Sequence, residues 1–105
     1  MKATIWHNRR CSKSRETLAL LNAAGADVEV IDYLANPPSR DRLAQLYAEA
    51  RLTPRQGLRK DAKAESDEAA LDLMVADPAT IERPLVQTAK GVRLCRPPET
   101  VHEIL

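Results

Sequence analysis

The chain has 105 residues, 16 of them Lys or Arg and 15 Asp or Glu, and its only aromatic residues are Trp6, Tyr33 and Tyr47. This length suits one domain, residues 1–105, with a modest core, and the near balance of charge excludes a general nucleic-acid binder, which needs a large basic excess. No apolar run approaches the roughly 18–20 residues that cross a bilayer, and the apolar start at Ala3–Trp6 is too short for a secretory leader, so a cytoplasmic monomer with no membrane or nucleic-acid partner is expected.

Residues Lys2 to His7 alternate and are β-prone, as in a first strand. After the polar stretch Asn8–Ser12, helical spacing runs from Ser14 to Ala24, with Ser12 or Ser14 as the expected N-cap, Leu18 and Leu21 on one face and Thr17 and Leu20 on its neighbour. Gly25 stops this helix where a positive φ is needed. Val28–Tyr33 reads as a second strand, completing a βαβ unit with a parallel pair. Asn36-Pro37-Pro38 breaks the chain, and Ser39 caps a helix through Arg51. Thr53-Pro54 opens a short helix to about Leu58. Arg59–Glu65 is charged and expected to be exposed. Ser66-Asp67-Glu68 opens a further helix with Leu71, Met74 and Val75 as its apolar side, ended by Asp77-Pro78. Leu85–Thr88 and Val92–Cys95 flank Ala89-Lys90-Gly91 as a hairpin, and Pro97-Pro98 leads into a last short helix. This order predicts an α/β fold of thioredoxin-like layout: a mixed four-stranded sheet covered by helices, with a helical insertion between strands 2 and 3.

Chemistry concentrates at His7-Asn8-Arg9-Arg10-Cys11-Ser12-Lys13-Ser14-Arg15. The first 15 residues hold five basic side chains and no acidic one. A thiol attacks only as its thiolate, and a helix N-terminus with nearby cations lowers a cysteine pKa. The same unpaired N–H groups bind oxyanions. Cys11 is therefore the candidate nucleophile, beside an anion cradle, and His7 is a candidate cation or hydrogen-bond donor to it. Ser14 completes Cys-x-x-Ser, a single-thiol form of the Cys-x-x-Cys motif, which leaves Cys11 without a local resolving thiol. Thr17 stands where a Cys-x5-Arg phosphatase loop needs arginine. In a reducing compartment Cys11 and Cys95 are not expected to form a structural disulfide. Together with His7 and His102 they lack metal-ligand spacing, so no metal is expected.

His7-Asn8-x-x-Cys11-x-x-Ser14-Arg15-x-Thr17-Leu18 resembles the start of the glutaredoxin-dependent arsenate reductases of thioredoxin-like fold, in their short arsenate-reductase-like branch. Tyr33-Leu34-x-Asn36-Pro37-Pro38-Ser39-Arg40, Leu58-Arg59-Lys60, Glu82-Arg83-Pro84-Leu85-Val86 and Arg93-Leu94-Cys95-Arg96-Pro97 resemble later blocks of that family, in the same order. The resemblance implies Cys11 as catalytic nucleophile, supported by His7, Ser14 and Arg15. It also implies Arg59, Arg83 and Arg96 as oxyanion ligands and Pro84 as a cis-proline facing the thiol. The implied activity is reduction of arsenate to arsenite through a Cys11–arsenic adduct, with glutathione as co-substrate, glutaredoxin as partner and no bound cofactor. Two other functions fit the same fold: a glutathione-dependent thiol oxidoreductase acting on another substrate, and a non-catalytic regulator that binds RNA polymerase. Arg9 stands where the family usually has proline. The segment after Arg59 is shorter than in the family, a departure that bears on the reach of Arg59 towards Cys11. Cys95 is expected to pack inside a strand.

Overall fold

A computed structural model describes all of residues 1–105. The elements run β1 (Lys2–His7), α1 (Ser12–Ala23), β2 (Asp27–Asp32), α2 (Arg40–Ala50), α3 (Asp67–Ala76), β3 (Leu85–Thr88) and β4 (Gly91–Leu94), with 3-10 helices at Pro54–Gly57, Pro78–Thr80 and Pro98–Ile104. The sheet order is β2-β1-β3-β4, with β1 parallel to β2 and the other pairs antiparallel. This is the mixed, thioredoxin-like sheet expected, and the helical insertion lies between β2 and β3 as anticipated. No helix is long and apolar enough to cross a membrane.

Strand alternation sends successive side chains to opposite faces of the sheet. On one face Ala3 and Ile5 of β1 join Val86, Leu21 of α1, and Val101 and Ile104 of the last 3-10 helix. On the other, Trp6 and Leu85 pack with Leu43, Leu46 and Tyr47 of α2 and Leu71 and Met74 of α3. Each fully buried Leu or Ile contributes about 1.5–3 kcal/mol; the first layer holds no aromatic side chain, and the second adds all three aromatics of the chain, Trp6, Tyr33 and Tyr47, to its leucines. The Arg42 guanidinium lies 5.6 Å from the centre of the Trp6 ring, at the edge of the second layer.

Local signals explain most boundaries. Ser39 and Ser66 accept hydrogen bonds from the N–H groups of Arg42 and Ala69, and Thr53 and Gln56 form a reciprocal capping box. Gly25, at φ +75°, ends α1 in a Schellman turn: its N–H donates to the Asn22 carbonyl and that of Ala26 to the Leu21 carbonyl. Other expectations need correction. α1 begins at Ser12 rather than Ser14, its N-cap is Cys11, and neither serine caps it. β2 and β4 each start one residue earlier than expected, so Tyr33 and Cys95 fall just outside their strands. Val75 is exposed, and Ala70 takes its place in the core. In the charged stretch after α2, Arg59 is half-buried, and Ala62 and Ala64 pack against the core.

Gly57 is required by close packing. A Cβ there would run into the ring of Tyr47, which is itself fully buried, and the Gly57 carbonyl accepts the Glu82 N–H at 2.8 Å. Gly57→Ala is expected to lower stability by about 1–3 kcal/mol through overpacking. A urea unfolding curve should show a lower midpoint at unchanged slope.

Candidate functional site

Topology brings three chain segments to one edge of the sheet. β1 is central and ends at His7, so the loop leading to Cys11 leaves the sheet between its two neighbouring strands. Trp6 pairs with Leu85 and Leu85 pairs with Leu94, which sets the start of β3 and the end of β4 beside that loop. Arg83 lies just before β3 and Arg96 just after β4. The Cys95 N–H donates to the Pro84 carbonyl at 2.9 Å, and Arg96 Nη1 donates to the Arg83 carbonyl at 3.0 Å. Both the Arg83–Pro84 and Arg96–Pro97 bonds are cis; Pro84 was expected to be cis, Pro97 was not.

A fourth segment joins by backbone pairing. Leu58 bridges Ile81, the Arg59 N–H donates to the Thr80 carbonyl at 2.9 Å, and the Glu82 N–H donates to Gly57. Arg59 is thereby carried alongside Glu82 despite the short connection that follows it. Its guanidinium lies 3.3 Å from Glu82 Oε1, while Arg96 Nε lies 3.6 Å from Glu82 Oε2. One largely buried carboxylate thus spans two of the three arginines. Arg83 Nη1 donates to the carbonyls of Ala79 and Ile81, and Arg83 Nε is buried without a partner.

The loop between β1 and α1 is held by its own polar groups. The Ser14 hydroxyl is fully buried; it accepts the Asn8 N–H at 3.0 Å and lies 2.6 Å from His7 Nδ1. Asn8 donates to the Tyr33 hydroxyl at 3.1 Å, accepts the Arg10 N–H on its side chain and the Cys11 N–H on its carbonyl. Arg15 Nη1 donates to the Arg9 carbonyl at 2.9 Å, so this side chain braces the loop. His7 is bonded to Ser14 rather than to the sulfur. Burial, aided by the charge of Arg15 and opposed by that of Asp32, holds its pKa below the ordinary histidine value, favouring the neutral ring.

Cys11 occupies the N-cap of α1 in extended backbone, and no side chain closes a cap hydrogen bond there. Partial burial opposes ionisation of the thiol. The N–H groups of Ser14 and Lys13, with the guanidiniums of Arg96 and Arg83, outweigh it together and lower the Cys11 pKa. Arg96 Nη1 lies 3.7 Å from the sulfur. Cys95 is the opposite case. It is fully buried against Ile5 and Val86, and burial pushes its thiol up to about 12. Among the expected residues, Cys11, Arg83 and Arg96 are therefore brought together, Arg59 joins through Glu82, and His7, Ser14 and Arg15 organise the loop. Asn8, Tyr33 and Glu82 are additional members that were not singled out from the sequence. No three His, Cys, Asp or Glu side chains group as metal ligands would.

The sequence matches the ArsC family over residues 6–104. It is similar to an arsenate reductase of Rhizobium meliloti (strain 1021) at 44% identity, the match covering 100% of this chain and 82% of that one. An arsenate reductase of Escherichia coli is 42% identical, over 97% of this chain and 79% of its own. Among solved structures, an arsenate reductase from Vibrio cholerae has a TM-score of 0.93 at 40% identity, covering 100% of this chain and 98% of that one.

Alkylation by iodoacetamide tests the electrostatics directly. A lowered pKa means that the thiolate persists to lower pH, so the rate at Cys11 should rise through a midpoint below that of free cysteine. Arg96→Ala should move that midpoint upward. Mass spectrometry should find Cys95 unlabelled until the protein is unfolded.

Proposed function

Because the chain belongs to the ArsC family, we propose that it reduces arsenate to arsenite at Cys11, using glutathione and glutaredoxin as external reductants and no bound cofactor. The observation that carries this reading is the convergence of Arg83, Arg96 and, through Glu82, Arg59 on a single activated thiol. Charge-assisted contacts from arginine suit a tetrahedral oxyanion, because the planar guanidinium can donate to two oxygens at once.

In this mechanism the Cys11 thiolate attacks arsenic. A sulfur–arsenic bond forms, and one arsenate oxygen leaves as water after taking up two protons. Glutathione then displaces a second oxygen in the same way, its own thiol proton departing in the water. A glutaredoxin thiolate attacks the glutathione sulfur; the bond between that sulfur and arsenic breaks with its electron pair going to arsenic. Arsenic(V) becomes arsenic(III), and the two external thiols become a mixed disulfide. Hydrolysis of the remaining Cys11–arsenic bond releases arsenite and restores the thiol. The sum is one arsenate and two thiols giving arsenite, a disulfide and water.

The residues near Cys11 support a reading with external thiols. Ser14 holds the position of a resolving cysteine and is buried in the hydrogen-bonded loop. Cys95 is enclosed in the core with a raised pKa, unsuited to attack.

The purified protein, mixed with arsenate, glutathione, glutaredoxin, glutathione reductase and NADPH, is expected to consume NADPH in proportion to arsenate. Cys11→Ser should reduce turnover to background. Arg83→Ala and Arg59→Ala should each lower kcat/KM for arsenate roughly 10–100-fold, the loss of one charged hydrogen bond. Absence of turnover by a folded protein with an alkylatable Cys11 would sink the proposal.

A further inference from the structure

A cleft of about 350 Å³ opens on the other side of the β1–α1 loop, lined by His7, Asn8, Arg9, Arg10, Asp32 and Leu34. It is of ligand size, and none of the three anion-site arginines lines it. Arg10 is the residue immediately before Cys11. The loop backbone is pinned: Arg15 holds the Arg9 carbonyl, and Asn8 Oδ1 accepts the Arg10 N–H. The guanidiniums of Arg9 and Arg10 are nonetheless free, with no hydrogen bond or ion pair to any other part of the fold, and both residues are exposed. Across the cleft Asp32 uses Oδ1 to accept the Leu34 and Ala35 N–H groups, and its other carboxylate oxygen has no partner. The cleft therefore offers two unpaired cations, one anion and a half-exposed leucine against the loop whose next residue is Cys11.

We propose that this cleft is the subsite for the tripeptide thiol, with Arg9 and Arg10 receiving the two carboxylates of glutathione and Asp32 its ammonium group. Two cations and one anion in the cleft answer two carboxylates and one ammonium in the ligand, and the Leu34 side chain offers apolar contact for its methylenes. The assignment rests on the proposed arsenate chemistry for its purpose: a tripeptide held here keeps its thiol next to the loop that carries the Cys11–arsenic adduct, where that thiol displaces an oxygen as water. It also gives Arg9 a task of its own. A proline at that position would leave one cation, a poorer match to a ligand with two carboxylates.

The test has two independent arms. In the first, the full chain labelled with nitrogen-15 is titrated with S-methylglutathione, which has no free thiol and cannot enter the redox reaction. Saturable shifts are expected at the amides of Asn8–Arg10 and Asp32–Leu34, and Arg9→Ala/Arg10→Ala should abolish them. Shifts confined to Arg83, Leu85, Cys95 and Arg96, or none that saturate, would overturn the assignment. In the second arm, Arg9→Ala, Arg10→Ala and Asp32→Asn are assayed in turnover. Asparagine retains the Oδ1 acceptor for Leu34 and Ala35. Each variant should raise KM for glutathione roughly 2–5-fold, the scale of one exposed charge pair, and raise it more than KM for arsenate. A rise in KM for glutaredoxin alone, or equal rises for arsenate and glutathione, would also overturn the assignment. If wild-type protein fails to reduce arsenate while S-methylglutathione still titrates the cleft, the proposed activity falls and the subsite stands.

Discussion

A buried hydroxyl holds the reactive end of this protein together. Ser14 sits in the first turn of α1 with no exposure to solvent, and a polar group so enclosed must be hydrogen-bonded or cost the fold about 1–3 kcal/mol. Its oxygen accepts the Asn8 N–H, and the hydroxyl is hydrogen-bonded to His7 Nδ1, which ties the last residue of β1 and the one after it to the helix. The helix can therefore begin in only one place relative to the central strand. Cys11 is fixed at the N-cap as a consequence, and Asn8 is free to reach Tyr33 with its amide. The low pKa of Cys11 depends on the same arrangement, because the N–H groups that stabilise its thiolate belong to the turn that Ser14 anchors.

The arginine cluster is assembled by backbone pairing, at a longer range. Residues 57–59 run against 80–82, which carries Arg59 to Glu82. The β3–β4 hairpin carries Arg96 back to Arg83. Gly57 lets the first of these pairings form by giving way to the Tyr47 ring, so a packing requirement in the core governs the position of a charge at the surface.

What could be seen in the sequence was local. Serine and threonine caps, the Gly25 stop and the hairpin glycine each act within a few residues, and the β1–α1–β2 unit follows from hydrophobic period. Cys11 stood out because its cationic neighbours are adjacent in the chain. Ser14 was readable as a cap and is instead an internal anchor, since the choice depends on whether β1 folds back over it. Val75 lost its core place to Ala70 because α3 buries the side that carries residues 70, 71 and 74, whereas the apolar pattern of the helix alone reads as well through 71, 74 and 75. Glu82 was hidden for a related reason: its partners lie 23 and 14 residues away, and nothing in its immediate neighbours marks it. The arginines themselves became legible through five separated blocks of resemblance, not through any property of a single arginine.

Glu82 has one more consequence. Before any anion arrives, two long side chains have already lost rotameric freedom by closing on its carboxylate. If the cluster takes an oxyanion as proposed, that ion meets donors that are preorganised, and it enters beside a resident counter-charge. The carboxylate offsets one of the three guanidinium charges and leaves an excess of two. A halide answers only half of that excess and brings no directed set of acceptors, whereas a tetrahedral dianion matches it and has several oxygens to share among the guanidiniums. The resident carboxylate thus trims the charge of the cluster to that of a dianion.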